Sequence, residues 1–203
     1  MTNSTAEKIA KSVKDAGGRT FYVGGFVRDK LLGIENKDVD IEVHGIEPDT
    51  LYSILESIGE PLSFGKSFGV YALKGEDLDI AMPRRERATG RGHRDFEIEV
   101  DPFIGTYAAA KRRDFTINAL MEDVLTCEII DHFGGREDLS RGVIRHIDDA
   151  SFIEDPLRVL RAAQFAARFG FAVDPSTIEL CRGIDLSALS RERVEEELRT
   201  ALL

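Results

Sequence analysis

The sequence predicts an α/β (α+β) head followed by an all-helical segment, and three observations carry the prediction. Up to about Ala150, short apolar runs ending in glycine alternate with amphipathic stretches, the pattern of strands interleaved with helices. Beyond it, three successive stretches show helical periodicity, each opened by a capping residue or a proline. At 203 residues the chain suits one domain, or one domain plus a smaller attachment, and its core needs no disulfide or metal staple. The expected division is therefore 1–150 and 151–203.

Each element has its own signal. The opening STAEKIAKSVKDAGG sets Ser4 and Glu7 at capping-box spacing, Ile9 and Val13 on one face, and Gly17-Gly18 as a stop, which predicts an amphipathic helix. RTFYV predicts a strand that breaks at Gly24-Gly25, after which FVRDKLLG is a short helix ended by Gly33. DVDIEV alternates acidic and apolar residues, as a half-buried strand does, and PDTLYSILESIG is a helix with Pro48 near its start. GVYALKG and EDLDIAMPRR form a hairpin about Lys74-Gly75-Glu76. The arginine-rich RRERATGRGHR lacks apolar periodicity and is expected to be a mobile loop. From Tyr107 a helix runs into AAAKRRD, and TINALMEDV and CEIIDHF add to the sheet before Gly134-Gly135. The last three helices start at Asp155-Pro156, Asp174-Pro175 and Ser190.

A hydrophobic share of 42% beside 32% charged residues describes a soluble globular chain; no apolar run spans a bilayer, and residues 1–14 show no signal-peptide pattern. A cytoplasmic protein without a membrane partner is expected. Cys127 and Cys181 have no Cys-x-x-Cys spacing, so neither a zinc site nor a disulfide framework is indicated, and both are expected as buried free thiols. The net charge of -10 argues against a protein that holds nucleic acid by bulk electrostatics. Locally the balance reverses: Arg84 to Arg94 holds five arginines and a histidine against one glutamate, and KRRD follows at Lys111 to Asp114. Such runs serve as solvated faces as readily as they serve binding. The sequence specifies no oligomeric state.

The sharpest chemical signal is KDVDIEV. Asp38 and Asp40 are two apart on a strand and share a face, and paired carboxylates repel unless a cation lies between them. Oxygen-only ligands suit Mg²⁺, which is usually held by one or two carboxylates together with substrate phosphates. A solvent-facing strand edge would carry the same residues. Asp79, on a later strand, supplies a third acid; three carboxylates beside a Gly-Gly turn resemble a two-metal phosphoryl-transfer site. The turn itself suits either an ordinary strand-to-helix bend or close approach of a phosphate to backbone.

VGGFVRDKLLG, KDVDIEV, KRRDFTINAL, IIDHFGGREDL and EDPLRVLRAAQFAARFGF occur in the order seen in the bacterial class II CCA-adding tRNA nucleotidyltransferases and the related poly(A) polymerases. The chain resembles this family, part of the polymerase-β superfamily, from about Arg19 to Leu203. The resemblance implies a nucleotidyltransferase head of the polymerase-β type over 1–150 and a helical, nucleobase-reading neck over 151–203, with the family's body and tail domains absent. It implies an enzyme that uses Mg²⁺ to add CMP and AMP from CTP and ATP to an RNA 3′ end, that of tRNA, with release of pyrophosphate. A poly(A) polymerase or an A-adding enzyme is the alternative within the family. A non-catalytic nucleotide-binding or RNA-binding module would have no need of paired metal acids.

By the same resemblance, Asp38 and Asp40 are the metal ligands and Asp79 the third catalytic carboxylate. Gly24, Gly25 and Arg28 meet the triphosphate, and Arg112, Arg113, Asp114 and Asn118 meet its ribose and phosphates. A ribose 2′-OH both donates to a carboxylate and accepts from a guanidinium. Asp155 and Arg158 resemble the residues that read the base edge, with Glu154 and Arg161 in support. Cytosine and adenine each present an exocyclic amine to a carboxylate, whereas uracil and guanine present a carbonyl that it repels. Asp155 is equally suited to cap the helix that Pro156 opens. The chain departs from the family at Thr106 to Ala110, TYAAA, where many relatives carry Glu-Asp-Leu.

Overall fold

The computed structural model describes residues 3–63, 69–88, 96–187 and 189–202. It divides into two compact units, 1–109 with 121–130, and 110–120 with 131–203. This division differs from the one expected at Ala150, because residues 110–120 and 131–150 make their contacts with the later helices.

The first unit is built on a seven-stranded sheet of order β3-β4-β5-β2-β1-β8-β9. Its strands are β1 Arg19–Val23, β2 Val39–His44, β3 Pro61–Ser63, β4 Val70–Leu73, β5 Leu78–Ala81, β8 Met121–Asp123 and β9 Ile129–Ile130. All neighbours are antiparallel except β2 and β5. A parallel pair needs a long crossover; helix α3 (Pro48–Ile58), β3 and β4 provide it. Helix α1 (Ser4–Asp15) packs on β1 and α3, and α2 (Gly25–Leu32) packs on β1 and β2. Strand periodicity sorts the residues of β2: Ile41 and Val43 join Ile9, Val13, Leu51, Leu55 and Ile80 in the buried apolar core, while Asp40, Glu42 and His44 share the opposite face. A separate ribbon pairs β6 (Arg84–Ala88) with β7 (Phe96–Val100).

Among its described residues the second unit contains a 3-10 turn at Thr116–Asn118 and five helices, α5 Gly135–Arg141, α6 Asp149–Ile153, α7 Leu157–Phe169, α8 Pro175–Arg182 and α9 Arg191–Leu202. Helix α4 (Gly105–Lys111) leads into it from the first unit. Phe115 lies at its centre, edge-on to both Phe152 and Phe165 with ring centroids 5.7 Å away. Gly135 is required here because a Cβ at that position would overlap the Thr116 carbonyl.

Four expectations need correction. Helix α1 is capped by Asn3, whose Oδ1 accepts from the amides of Thr5 and Ala6, so the cap lies one residue before Ser4. Residues 84–88 form a strand where a loop was expected, because cross-strand pairing with 96–100 outweighs the missing apolar alternation; the remainder of that loop, including Arg91 and Arg94, lies outside the described residues. The helical segment also carries β11 (Ala172–Val173), paired in parallel with β10 (Val143–Ile144). Cys127 is exposed, in the left-handed region, whereas Cys181 is half-buried with its thiol pushed up by burial.

Candidate functional site

In the first unit the ladder brings the predicted acids to one end of the sheet. Asp40 and Asp79 are partners across the parallel β2–β5 pair, so their side chains leave the sheet on the same face. Asp38 precedes β2 by one residue, and its amide donates to Asn36 Oδ1 at 2.9 Å. Tyr22 pairs with Ile41 in the antiparallel β1–β2 register, which carries Val23 and Gly24 level with Asp40 and Val39. The Gly-Gly turn and the acids therefore meet at the same edge.

The turn owes each glycine to a different cause. Gly24 has φ 66° and ψ -133°, a conformation open essentially to glycine alone. A Cβ on Gly25 would sit 3.3 Å from Arg28 Nη2. Arg28 is 4% exposed and pairs with Asp29 at 2.7 Å, and Asp29 Oδ2 accepts from Asn36 Nδ2 at 2.8 Å. The chain Arg28, Asp29, Asn36, Asp38 thus ties the first turn of α2 to the start of β2. Farther along the acidic face, Glu42 Oε1 meets His44 Nε2 at 2.8 Å, both buried, with Phe21 edge-on to the imidazole. This pair has no counterpart among the residues singled out in the sequence.

Asp38 and Asp79 are exposed and Asp40 is half-buried, and among the described residues no group of three or more His, Cys, Asp or Glu closes around a metal position. The donors fit magnesium nonetheless. They are carboxylates only, two of them face to face across a ladder, and Mg²⁺ characteristically completes its sphere with water and substrate phosphate.

In the second unit several of the remaining predicted residues gather around the turn after α4. Asp114, 8% exposed, accepts at Oδ1 from the Phe115 amide (2.7 Å) and Asn118 Nδ2 (3.0 Å), and at Oδ2 from Arg161 Nε (2.8 Å). Burial works against the Arg161 charge, but Asp114 and Glu197 outweigh it and hold the guanidinium above its usual range. Arg158 donates to the carbonyls of Arg112 (2.7 Å) and Ser151 (2.9 Å). Arg112 and Arg113 are half-buried. Asp138, fully buried, takes the Thr116 hydroxyl and the Arg145 guanidinium, fixing the 3-10 turn from the other side.

Asp155 plays the expected capping part, its Oδ1 accepting from the Leu157 amide at 3.2 Å. It does not pair with Arg158. Arg193 of α9 reaches both of its carboxylate oxygens, each at 3.1 Å. Glu154 is exposed at the end of α6. Arg193 was missed in the sequence because its partner lies 38 residues away, and its own stretch, SRERVEEEL, looks like any charged helix.

The family described as "Poly A polymerase head domain" matches residues 20–145, more than half of the chain. The chain belongs to this family. Among curated proteins, it is 41% identical over 189 residues to the Multifunctional CCA protein of Nitrosomonas europaea, a match covering 91% of this chain and 44% of that protein. Among solved structures, a Thermotoga maritima CCA-adding enzyme complexed with tRNA superposes with TM-score 0.78 at 32% identity, covering 96% of this chain and 45% of the other. A Bacillus stearothermophilus CCA-adding enzyme in complex with CTP gives TM-score 0.81 at 30% identity, covering 99% and 49%. The chain thus spans about half the length of the relatives it matches. The poly A polymerase head match takes in the acidic sheet end, the Gly-Gly turn and the turn at Asp114; Asp155, Arg158, Arg161 and Arg193 follow it.

Proposed function

We propose that the chain carries the catalytic head and the nucleobase-reading neck of a cytoplasmic, template-independent RNA nucleotidyltransferase. It adds CMP and AMP from CTP and ATP to the 3′ end of tRNA and releases pyrophosphate. In this reading 1–150 acts as the head and 151–203 as the neck. The observation that carries it is the pairing of Asp40 with Asp79 level with the Gly24-Gly25 turn, in a chain 30% identical over 99% of its length to an enzyme solved with CTP.

Asp38 and Asp40 would hold Mg²⁺ in a two-metal site, with Asp79 as the third carboxylate beside them. The bound metal supplies Lewis-acid stabilisation of phosphoryl charge and a more nucleophilic 3′ oxygen. That oxygen attacks the α-phosphorus in line; its new bond forms as the bond to the β-phosphate oxygen breaks. Gly24 and Gly25 let the triphosphate approach backbone, and Arg28 acts from behind by locking the turn through Asp29. Arg113 and Asp114 meet the ribose. Three of the Asp114 acceptor positions are engaged by Phe115, Asn118 and Arg161, and a carboxylate offers about four, so one remains for a ribose hydroxyl. Arg112 and Arg158 form a buttressed pair beside it, and the Asp155 carboxylate accepts the exocyclic amine of cytosine or adenine.

The test is incubation of a tRNA lacking its CCA end with each nucleotide separately and together, followed by sequencing of the 3′ terminus. C, C and A are expected in that order. The description of the matched family favours poly(A) synthesis as a second reading; ATP alone would then yield long tails on any RNA, where the first reading requires a single A on a primer ending in CC.

A further inference from the structure

We propose that Arg193 is a specificity-determining positioning residue: it fixes the direction in which the Asp155 carboxylate meets a nucleobase. The inference rests on the reading that Asp155 selects the base. A single hydrogen bond from the Leu157 amide would leave the Asp155 carboxylate free to turn, since the terminal torsion of aspartate is broad. Arg193 Nη2 removes that freedom by bonding both oxygens.

The resulting count is selective. Among the described residues, Oδ1 already receives two donors, Leu157 N and Arg193 Nη2, whereas Oδ2 receives only the latter. With about two acceptor positions per oxygen, Oδ2 keeps room for one further N–H. One exocyclic amine of cytosine or adenine supplies one donor; the carbonyl of uracil or guanine supplies none and meets an oxygen of like polarity.

Arg193 is set apart from the other arginines of α9. Arg191 has a side chain 88% exposed and pairs with Glu195 on its own helix, whereas Arg193 is 38% exposed and reaches another helix. One turn on, Glu197 lies 4.0 Å from Arg161, the residue that holds Asp114. Helix α9 therefore reaches the Asp155 carboxylate directly through its own Arg193, and the Asp114 carboxylate through Glu197 and the intervening Arg161.

The test is titration calorimetry of CTP, ATP, UTP and GTP, each with Mg²⁺, into wild-type chain, Arg193→Met, Arg193→Lys and Asp155→Ala, with thermal melts alongside. Methionine keeps the aliphatic bulk and removes the donor; lysine keeps the charge but replaces the planar fork with a mobile ammonium. The ratio of CTP to UTP affinity should fall about tenfold in Arg193→Met and severalfold in Arg193→Lys, since one good base contact accounts for discrimination of that size. An unchanged ratio in the arginine variants beside a reduced one in Asp155→Ala would overturn the role of Arg193 and leave base reading at Asp155 standing. An unchanged ratio in Asp155→Ala as well, or no nucleotide binding by wild type, would overturn the underlying reading itself. Equal weakening for all four nucleotides with a lowered melting temperature would reduce Arg193 to a tie between helices. If the methionine variant does not fold, the lysine variant decides, and a wild-type ratio there contradicts the proposal.

Discussion

Asp38 and Asp79 are exposed acids that no packing requires, and Asp40 is only half-buried. Asp38→Ala should therefore leave stability within about 0.5 kcal/mol of wild type, and both Asp38→Ala and Asp40→Ala should abolish Mg²⁺-dependent incorporation, as thermal melts and primer extension will show. Asp155 separates capping from recognition. Asp155→Ala should cost about 1 kcal/mol of stability from the cap, besides the Arg193 pair and discrimination against UTP, whereas Asp155→Ser should recover the capping share alone, measured by melts and by incorporation of each nucleotide. Asp123 gives the pH response: burial pushes its carboxyl up, but Arg19 and the amides of Thr126 and Leu125 outweigh that and hold it below the usual range. A depressed folded value stabilises the fold above the ordinary carboxylate pKa of about 3.9 and ceases to do so as pH falls through the lower folded value. Below about pH 4 the stability of Asp123→Asn should fall less steeply than that of wild type in denaturant titrations. The acidic alternation of β2 and the Gly24-Gly25 turn were legible in the sequence because strand spacing and glycine breaks are local signals. Arg193 and the Glu42–His44 pair were not, since each depends on which side chains the folded chain brings together.

At the scale of elements, α7 grips the turn after α4 twice, through Arg158 on the Arg112 carbonyl and Arg161 on the Asp114 carboxylate. Arg161→Met leaves Asp114 buried with its backbone and Asn118 donors but no charge partner. A fully buried pair broken in this way costs about 3–5 kcal/mol; Arg161 keeps 35% of its side chain exposed, so a loss of about 2 kcal/mol is expected in chemical denaturation, together with weaker binding of all nucleotides alike. Most helices and central strands were readable from periodicity and caps: α2 ends at Gly33 in the left-handed conformation, α3 opens at Pro48, and α8 is capped by Asp174. The elements that escaped are those whose pairing is not local. Strands β3, β10 and β11 are two or three residues long and exist through their partners, and β6 is arginine-rich, held by register with β7. The parallel pairing of β2 with β5, which sets Asp40 against Asp79, is likewise a property of the sheet order.

For the molecule as a whole, the net charge of -10 confines attraction for RNA to local basic patches. Binding of tRNA to this chain should be weak and should fall steeply with salt, as counterion release dictates; fluorescence titration from low to physiological salt measures it. Tight, tRNA-selective binding at physiological salt would contradict this expectation. No helix among the described residues is long and apolar enough to cross a membrane. The central claim is that the acids at the end of the β2–β5 pair catalyse nucleotide transfer onto an RNA 3′ end. The most direct measurement is 3′-terminal sequencing of a tRNA lacking CCA, present at high concentration in low salt with Mg²⁺, CTP and ATP, after incubation with wild-type chain and with Asp40→Ala. Addition of C, C and A by the wild type and of nothing by the variant is the predicted result; no addition by the wild type, or equal addition by Asp40→Ala, would contradict it.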